Sequence, residues 1–118
     1  MNCSVQISHQ QIVDQLITAR EGGINYWCDE FAITKDGQPL PFMQLLDKPE
    51  LLPNCLFEVR EEENGKIHKI DYNQIIRGLE VMSQDYIRHF GDLFTDNGDA
   101  TTADVFMQCA VFGELVYG

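Results

Sequence analysis

The sequence predicts a single α+β domain, residues 1–118, in which a small antiparallel sheet of about three strands is covered by about three helices. Three observations indicate this fold class. Helical periodicity marks segments near both ends of the chain, and segments rich in aromatic and β-branched residues lie between them. The last segment, residues 99–118, is apolar on nearly every side. Since such a helix belongs inside a packed domain, we expect the C-terminal helix to be central to the core.

Charge is the most informative feature of the composition. Nineteen acidic residues against eight basic residues give a formal net charge of −11, which is spread along the chain. A negative field repels phosphate groups, so direct binding of DNA or RNA is disfavoured and a basic protein partner is favoured. The alternative is that the acidity only keeps a small protein soluble.

The first helix is predicted to begin after Ser8. Ser8 as the N-cap and Gln11 three residues later form a capping box. The apolar stripe that follows comprises Ile12, Val13, Leu16 and Ile17. Gly22 and Gly23 should end the helix, because glycine adopts the left-handed conformation found after many helices at little cost.

Residues 24–34 are typical of a strand, which Asp36 and Gly37 close with a turn. Side chains alternate between the two faces of a strand, so Trp27 and Phe31 share one face. We expect that face to be buried.

Residues 38–55 contain all four prolines, so we expect a loop without continuous regular structure. The segment is strongly apolar for a loop, and two explanations stay open. It either packs over an open edge or face of the same domain, or forms an exposed patch for self-association through Phe42, Leu45 and Leu46.

A hairpin is predicted where residues 56–62 and 66–70 flank Asn64-Gly65, because both of these residues tolerate the positive φ of a two-residue type I′ turn. Its register places three apolar side chains on one face, namely Phe57, Val59 and Ile70. Ile67 then lies among charges on the other face.

Asp71 is the predicted N-cap of the second helix, with Gln74 completing a capping box. Its apolar residues at helical spacing are Ile75, Ile76, Leu79, Met82, Tyr86 and Phe90. Gly91 should end it. Asp99 or Thr101 should cap the last helix, whose first turn then places the Asp104 carboxylate near the positive end of the helix dipole.

Two clusters of carboxylates are candidate contact surfaces for a basic partner. One lies in the second half of the chain and comprises Glu80, Asp85, Asp92, Asp96 and Asp99. The other lies on the hairpin and comprises Glu61, Glu62 and Glu63. Loop solvation and helix capping, or protection of an edge strand against aggregation, are alternative explanations.

No catalytic, metal-binding or cofactor-binding motif stands out. The four cysteines are scattered and form no short-spaced pair with each other or with histidine, as a structural zinc site would require. We therefore expect a protein without enzymatic activity, metal or cofactor, with free thiols in a reducing cytoplasm. A pocket near Asn25 and Tyr26 is a possible contact site for a small ligand or nucleotide.

Two segments carry a family resemblance: EGGINYWCDE at residues 21–30 and DATTADVFMQCAVFGELVYG at residues 99–118. Together with IIRGLEVM at residues 75–82 and RHFGDL at residues 88–93, they resemble a family of small uncharacterised proteins encoded by bacteriophages and prophages. The resemblance covers most of the chain except the proline-rich segment. It implies a phage context, and it implies no particular activity or catalytic residue.

Three classes of function are expected in that context. The first is a non-enzymatic protein that binds and inhibits a basic protein in the bacterial host cytoplasm, such as an anti-CRISPR or other anti-defence inhibitor that mimics nucleic acid. The second is a phage structural or assembly protein that self-associates through the apolar loop. The third is a protein that sequesters a small ligand or nucleotide.

Overall fold

The fold has the predicted α+β class. The computed structural model describes residues 6–118. In chain order the elements are α1 (His9–Thr18), a π-helical turn (Ala19–Gly23), β1 (Cys28–Lys35), β2 (Gln38–Pro39), α2 (Phe42–Asp47), a 3₁₀-helix (Pro49–Asn54), β3 (Cys55–Glu61), β4 (Ile67–Ile70), α3 (Tyr72–Asp85), α4 (Ile87–Phe94) and α5 (Ala100–Phe112). Within these residues no helix has the length and apolar character needed to cross a membrane.

The strands form one antiparallel sheet in the order β2-β1-β3-β4. The sheet has one strand more than the three predicted. The additional strand is β2, which has two residues and pairs with the end of β1. Asp36 and Gly37 connect β1 and β2, with φ angles of 53° and 76°. Positive φ at both central residues is the pattern of a type I′ turn, so the tightest hairpin in the described chain closes here.

The predicted faces of the β3–β4 hairpin are confirmed, whereas its predicted turn is wrong. Phe57 pairs with Ile70 in the buried face, and Ile67 is 54% exposed on the other. The Glu61 amide donates to the Lys66 carbonyl, which leaves a four-residue connection instead of two residues. The Asn64 side chain accepts from the Lys66 amide at 2.9 Å, and this contact stabilises the longer turn.

The C-terminal helix is the centre of the core, as predicted. From Ala103 to Ala110 every residue of α5 except Asp104 is buried, and the helix packs chiefly against α3. Its N-cap is Asp99, whose carboxylate accepts from the Thr102 amide. Gly113 ends it with a φ of 76°, a left-handed conformation that favours glycine.

The N-cap residues predicted for α1 and α3 are confirmed, but the complete capping box is formed only at α1. Ser8 and Gln11 form the reciprocal capping box at the start of α1. Asp71 accepts from the Gln74 amide at the start of α3. Short-range capping signals therefore located the start of each long helix.

The second helix does not run unbroken to Gly91. It stops at Asp85, Tyr86 adopts φ −135° and ψ 52°, and α4 begins at Ile87. The break turns α4 so that Leu93 enters the core, and it directs the Tyr86 hydroxyl to accept from the Leu115 amide at 3.1 Å. Gly91 lies inside α4.

Helical structure ends at Gly23, as predicted, but not through a left-handed glycine. Gly22 has φ 168°, which is extended backbone and not left-handed, and Gly23 is buried in the π-helical turn. A Cβ atom on Gly23 would lie 2.9 Å from the Ala100 carbonyl oxygen. Glycine is therefore required here because the turn approaches the backbone of α5 closely.

Strand β1 begins at Cys28, later than predicted, because residues 24–27 form a turn closed by hydrogen bonds to the Ile24 carbonyl. Trp27 is buried as predicted. Phe31 is only partly buried and packs edge-on against Phe42, with 4.9 Å between ring centroids.

The proline-rich segment is more regular than predicted. It forms β2, α2 and the 3₁₀-helix, since Pro41 and Pro49 stand at helix starts, where no amide donor is needed. Phe42 and Leu45 are buried in the core, and Leu46 is partly buried against it. The segment therefore covers its own domain, and the self-association patch expected at these residues is not a surface feature.

Candidate functional site

A polar network joins the turn before β1 to the centre of α5. The Asp104 carboxylate accepts hydrogen bonds from the Trp27 indole at 2.8 Å, from the Gln108 side chain at 2.9 Å and from the Tyr26 hydroxyl. Asp104 is the fifth residue of α5, beyond its first turn. The predicted helix-dipole role is therefore wrong, and the carboxylate serves as a shared acceptor for three side chains.

Gln108 binds the segment that follows α5. Its side chain is fully buried, and its Oε1 accepts from the amides of Val116 and Tyr117, each at 2.8 Å. Its Nε2 donates to the Tyr117 carbonyl at 3.0 Å. The side-chain amide of Gln108 thus both accepts from and donates to the backbone of residues 116–117, as the backbone of a paired strand does. This contact explains the one polar side chain in the apolar run of α5.

Tyr117 connects the same network to the sheet. Its ring stacks on Trp27, with 5.5 Å between centroids and planes within 5° of parallel. Its hydroxyl donates to Glu61, whose other carboxylate oxygen lies 2.7 Å from His68 Nε2. The hydrogen bond from Tyr117, followed by that from His68, lowers the pKa of Glu61. Glu61 is buried and partnered, so its predicted place in an acidic contact surface is wrong.

The two segments that carry the family resemblance meet in this network. Tyr26 and Trp27 belong to residues 21–30, while Asp104, Gln108 and Tyr117 belong to residues 99–118. Gly23 packs on α5 beside them. The residues that make the segments recognisable thus contact one another and stabilise the fold. Sequence reasoning missed this pairing, although an isolated glutamine in an apolar helix was an available signal.

No protein-family model, curated protein or solved structure is significantly similar to this chain. The phage-family resemblance therefore stays a prediction carried by the segments quoted above.

Asn25 and Tyr26, the two residues of the predicted pocket, lie in different surroundings. Asn25 lines a surface cleft with Arg20, whose guanidinium also lies over the Phe42 ring. The same cleft is lined by Asp29 and Glu30. Tyr26 instead belongs to the Asp104 network. Arg60 pairs with both carboxylates of the cleft. The cleft therefore does not bring Asn25 and Tyr26 together as one site.

The thiols that the structure describes are not poised for nucleophilic chemistry. Cys28, Cys55 and Cys109 are free and buried. Burial raises the pKa of all three thiols, and that of Cys109 to about 11. Among residues 6–118 no three His, Cys, Asp or Glu side chains gather as ligands for a metal ion. Cys3 lies outside the described residues.

The acidic residues of the second half differ in their surroundings. Asp99 is used as the N-cap of α5, and its hydrogen bond from the Thr102 amide lowers its pKa. The remaining four predicted residues are exposed, and within residues 6–118 none of them forms a salt bridge: Glu80, Asp85, Asp92 and Asp96. On the hairpin, Glu62 and Glu63 are exposed.

The sheet, by contrast, pairs its own charges. Arg60 contacts Asp29 at 2.8 Å and Glu30 at 3.4 Å. Lys69 contacts Glu58 at 3.6 Å on the adjacent strand. Residues 80–99 contain five acidic residues, and Arg88 is their one lysine or arginine. We call residues 80–99 the acidic segment.

Two tyrosines make the network sensitive to alkaline pH. Burial, followed by the hydrogen bond to Asp104, raises the pKa of Tyr26 to about 12, and the hydrogen bond to Glu61 raises the pKa of Tyr117 to about 12. Unfolded tyrosine ionises near 10.0. Both groups therefore stabilise the fold fully below pH 10, and this contribution is lost as pH rises towards 12.

We expect the free energy of unfolding to fall between pH 10 and 12 more steeply in the wild type than in the double variant Tyr26→Phe, Tyr117→Phe. Urea denaturation across this range measures the difference. The variant retains both rings and shares the titration of lysine and cysteine with the wild type. Equal slopes for the two proteins would show that these hydroxyls do not couple ionisation to folding.

Proposed function

We propose that this protein is a non-enzymatic binding protein whose acidic segment docks on a basic surface of a host protein. The observation that carries the proposal is a group of four exposed carboxylates along α3, α4 and the turn that follows, none of which forms a salt bridge within residues 6–118: Glu80, Asp85, Asp92 and Asp96. Exposed acidic side chains that no internal cation neutralises attract a cationic surface and accelerate its encounter.

The partner's basic surface is one that ordinarily binds nucleic acid. Proteins that bind DNA or RNA present lysine and arginine to phosphates, and a row of carboxylates is complementary to the same groups. The phage resemblance supports a partner from the bacterial host and an inhibitory outcome. An anti-CRISPR or other anti-defence role is the specific form of this proposal.

The other two function classes lack a supporting observation. Self-association through residues 38–55 would need Phe42 and Leu45 at the surface, and both are buried. Sequestration of a nucleotide by Asn25 and Tyr26 would need both residues at one cleft, and Tyr26 belongs to the Asp104 network instead.

A pair of charge variants tests the proposal. Asp85→Asn, Asp92→Asn, Asp96→Asn removes three charges from the acidic segment. The matched control Glu21→Gln, Asp47→Asn, Glu50→Gln removes the same charge from exposed positions elsewhere. The substitution at Asp96 suits its φ of 61°, because asparagine tolerates positive φ.

Wild type and both variants are immobilised and used to capture proteins from a lysate of phage-bearing bacteria, with quantification by mass spectrometry. We expect the segment variant to retain about fivefold to tenfold less of the captured basic protein, and the control variant to retain nearly all of it. Raising the salt concentration should weaken wild-type capture. Equal losses in both variants would show that only net charge matters, and salt-independent capture would refute the electrostatic mechanism.

A further inference from the structure

A groove with an apolar floor lies between α3 and α4. Its volume is about 490 Å³, and it is lined by Ile7, Ile76, Leu79, Glu80, Ser83, Ile87 and Phe90. The groove exists because the helix breaks at Tyr86, which places the first turn of α4 beside the last turns of α3.

Helix α4 has more apolar surface than the core covers. Leu93 is the residue of α4 that the core buries. Ile87, Phe90 and Phe94 recur at three-residue and four-residue spacing along an adjacent stripe, and Ile87 is 68% and Phe94 42% exposed. A single exposed apolar residue is ordinary, whereas an apolar stripe that borders a groove is typical of a binding surface.

The charge at the groove specifies its occupant. Among the described residues that line it, Glu80 carries the only charge, and it has no salt-bridge partner within residues 6–118. Asp85 is exposed at the end of α3. An apolar floor lined by one carboxylate that is unpaired among the described residues is complementary to an amphipathic helix that carries apolar residues on one face and lysine or arginine beside them.

We infer that the groove between α3 and α4 binds an amphipathic, basic helix of the partner protein. This inference rests on the proposed function and adds the anchoring contact to it: one or two large apolar side chains enter the groove while a cation pairs with Glu80. A second copy of this chain is a poorer occupant, because each copy would bring the same carboxylates and a net charge of −11 to the contact.

Two synthetic peptides of leucine and lysine test the inference. One is ordered so that leucines recur on one helical face, and the other has the same composition in scrambled order. Each labelled peptide is titrated with the full chain and followed by fluorescence anisotropy. We expect the amphipathic peptide to bind at least about tenfold more tightly, because only its ordered apolar face can bury a large side chain in the groove.

Matched variants locate the contact. Ile87→Ser should weaken binding of the amphipathic peptide about tenfold and leave the scrambled peptide unaffected. Met43→Ser, on α2, is the control, since Met43 is 67% exposed and Ile87 68%. Thermal melting of both variants verifies that each is folded.

The outcomes separate the two proposals. If Ile87→Ser binds the amphipathic peptide as the wild type does, or if both peptides bind equally or not at all, the groove inference is wrong. In each of these cases the charge proposal is judged independently by the capture experiment with the acidic-segment variant. If sedimentation shows that the wild type self-associates and Ile87→Ser is monomeric, a second copy occupies the groove and the inference is also overturned.

Discussion

Replacing Gly78 by alanine should lower the free energy of unfolding by about 1–3 kcal/mol, although alanine is the better helix former. Gly78 lies in α3 where it crosses α5. A Cβ atom there would lie 2.6 Å from Ala110 Cα and 2.7 Å from the Ala110 amide nitrogen. These are backbone atoms of the central helix, so no side-chain rotation relieves the overlap and the two helices must separate.

Gly91→Ala is the matched control for this prediction. Gly91 is also inside a helix, and nothing lies within 4 Å of a Cβ atom built on it. The control should be neutral or more stable by up to about 1 kcal/mol, because alanine restricts the unfolded chain. Urea denaturation at neutral pH measures both variants. If Gly78→Ala is as stable as Gly91→Ala, the two helices do not approach each other as closely as described.

Replacing Asp104 by alanine should have a comparable or larger effect, a loss of about 3 kcal/mol. The substitution removes the acceptor of three hydrogen bonds. Gln108 keeps the Tyr117 carbonyl as a partner, and the half-exposed Tyr26 hydroxyl regains water. The buried Trp27 indole keeps no acceptor, and leaving such a donor unsatisfied costs about 1–3 kcal/mol beyond the lost charged hydrogen bonds.

Asp104→Asn separates hydrogen bonding from packing. The asparagine oxygen still accepts from Trp27 and Gln108, while the hydrogen bond that Tyr26 donates to the second carboxylate oxygen is lost, so the expected loss is about 1 kcal/mol. Denaturant titration monitored by Trp27 fluorescence measures both variants, and Trp27 is the single tryptophan of the chain. Equal stability of Asp104→Ala and the wild type would show that the network makes no net contribution.

The two predictions concern the same helix from opposite sides. Gly78 allows α3 to pack closely against α5, and Asp104 connects α5 to the turn before β1 through its hydrogen bond from Trp27. The apolar residues of α5 between these contacts are buried in the core, and packing accounts for them. Mutations inside α5 should therefore act on stability first, and tests of binding are better directed at the exposed side chains of α3 and α4.

Local signals determined much of the fold. The capping residues Ser8, Asp71 and Asp99 each accept the amide three residues later, so the start of a helix is encoded within one turn. The alternation in β3 is encoded by a period of two, and the apolar character of α5 by its composition. These features need no knowledge of distant residues.

Features that depend on distant contacts were not predictable in this way. Trp27 and Asp104 are 77 residues apart in sequence, and neither segment shows that the other supplies its partner. The Tyr86 hydroxyl, at the break between α3 and α4, accepts from the Leu115 amide, and the helices in residues 38–55 pack on a core formed by distant residues. Prolines indicated an interruption there but not that short helices would begin at them.

For the candidate site, the sequence by itself determined the excess of carboxylates and the absence of a recognisable catalytic motif, while the resemblance to phage proteins stays a prediction. Only the tertiary structure decided that Glu61 is buried against Tyr117 and that Asp99 caps α5, whereas Asp85, Asp92 and Asp96 are exposed without a salt-bridge partner among the described residues. The physical reason is that the charge of a carboxylate is fixed by its chemistry, while its availability to a partner depends on which donors the folded chain brings to it.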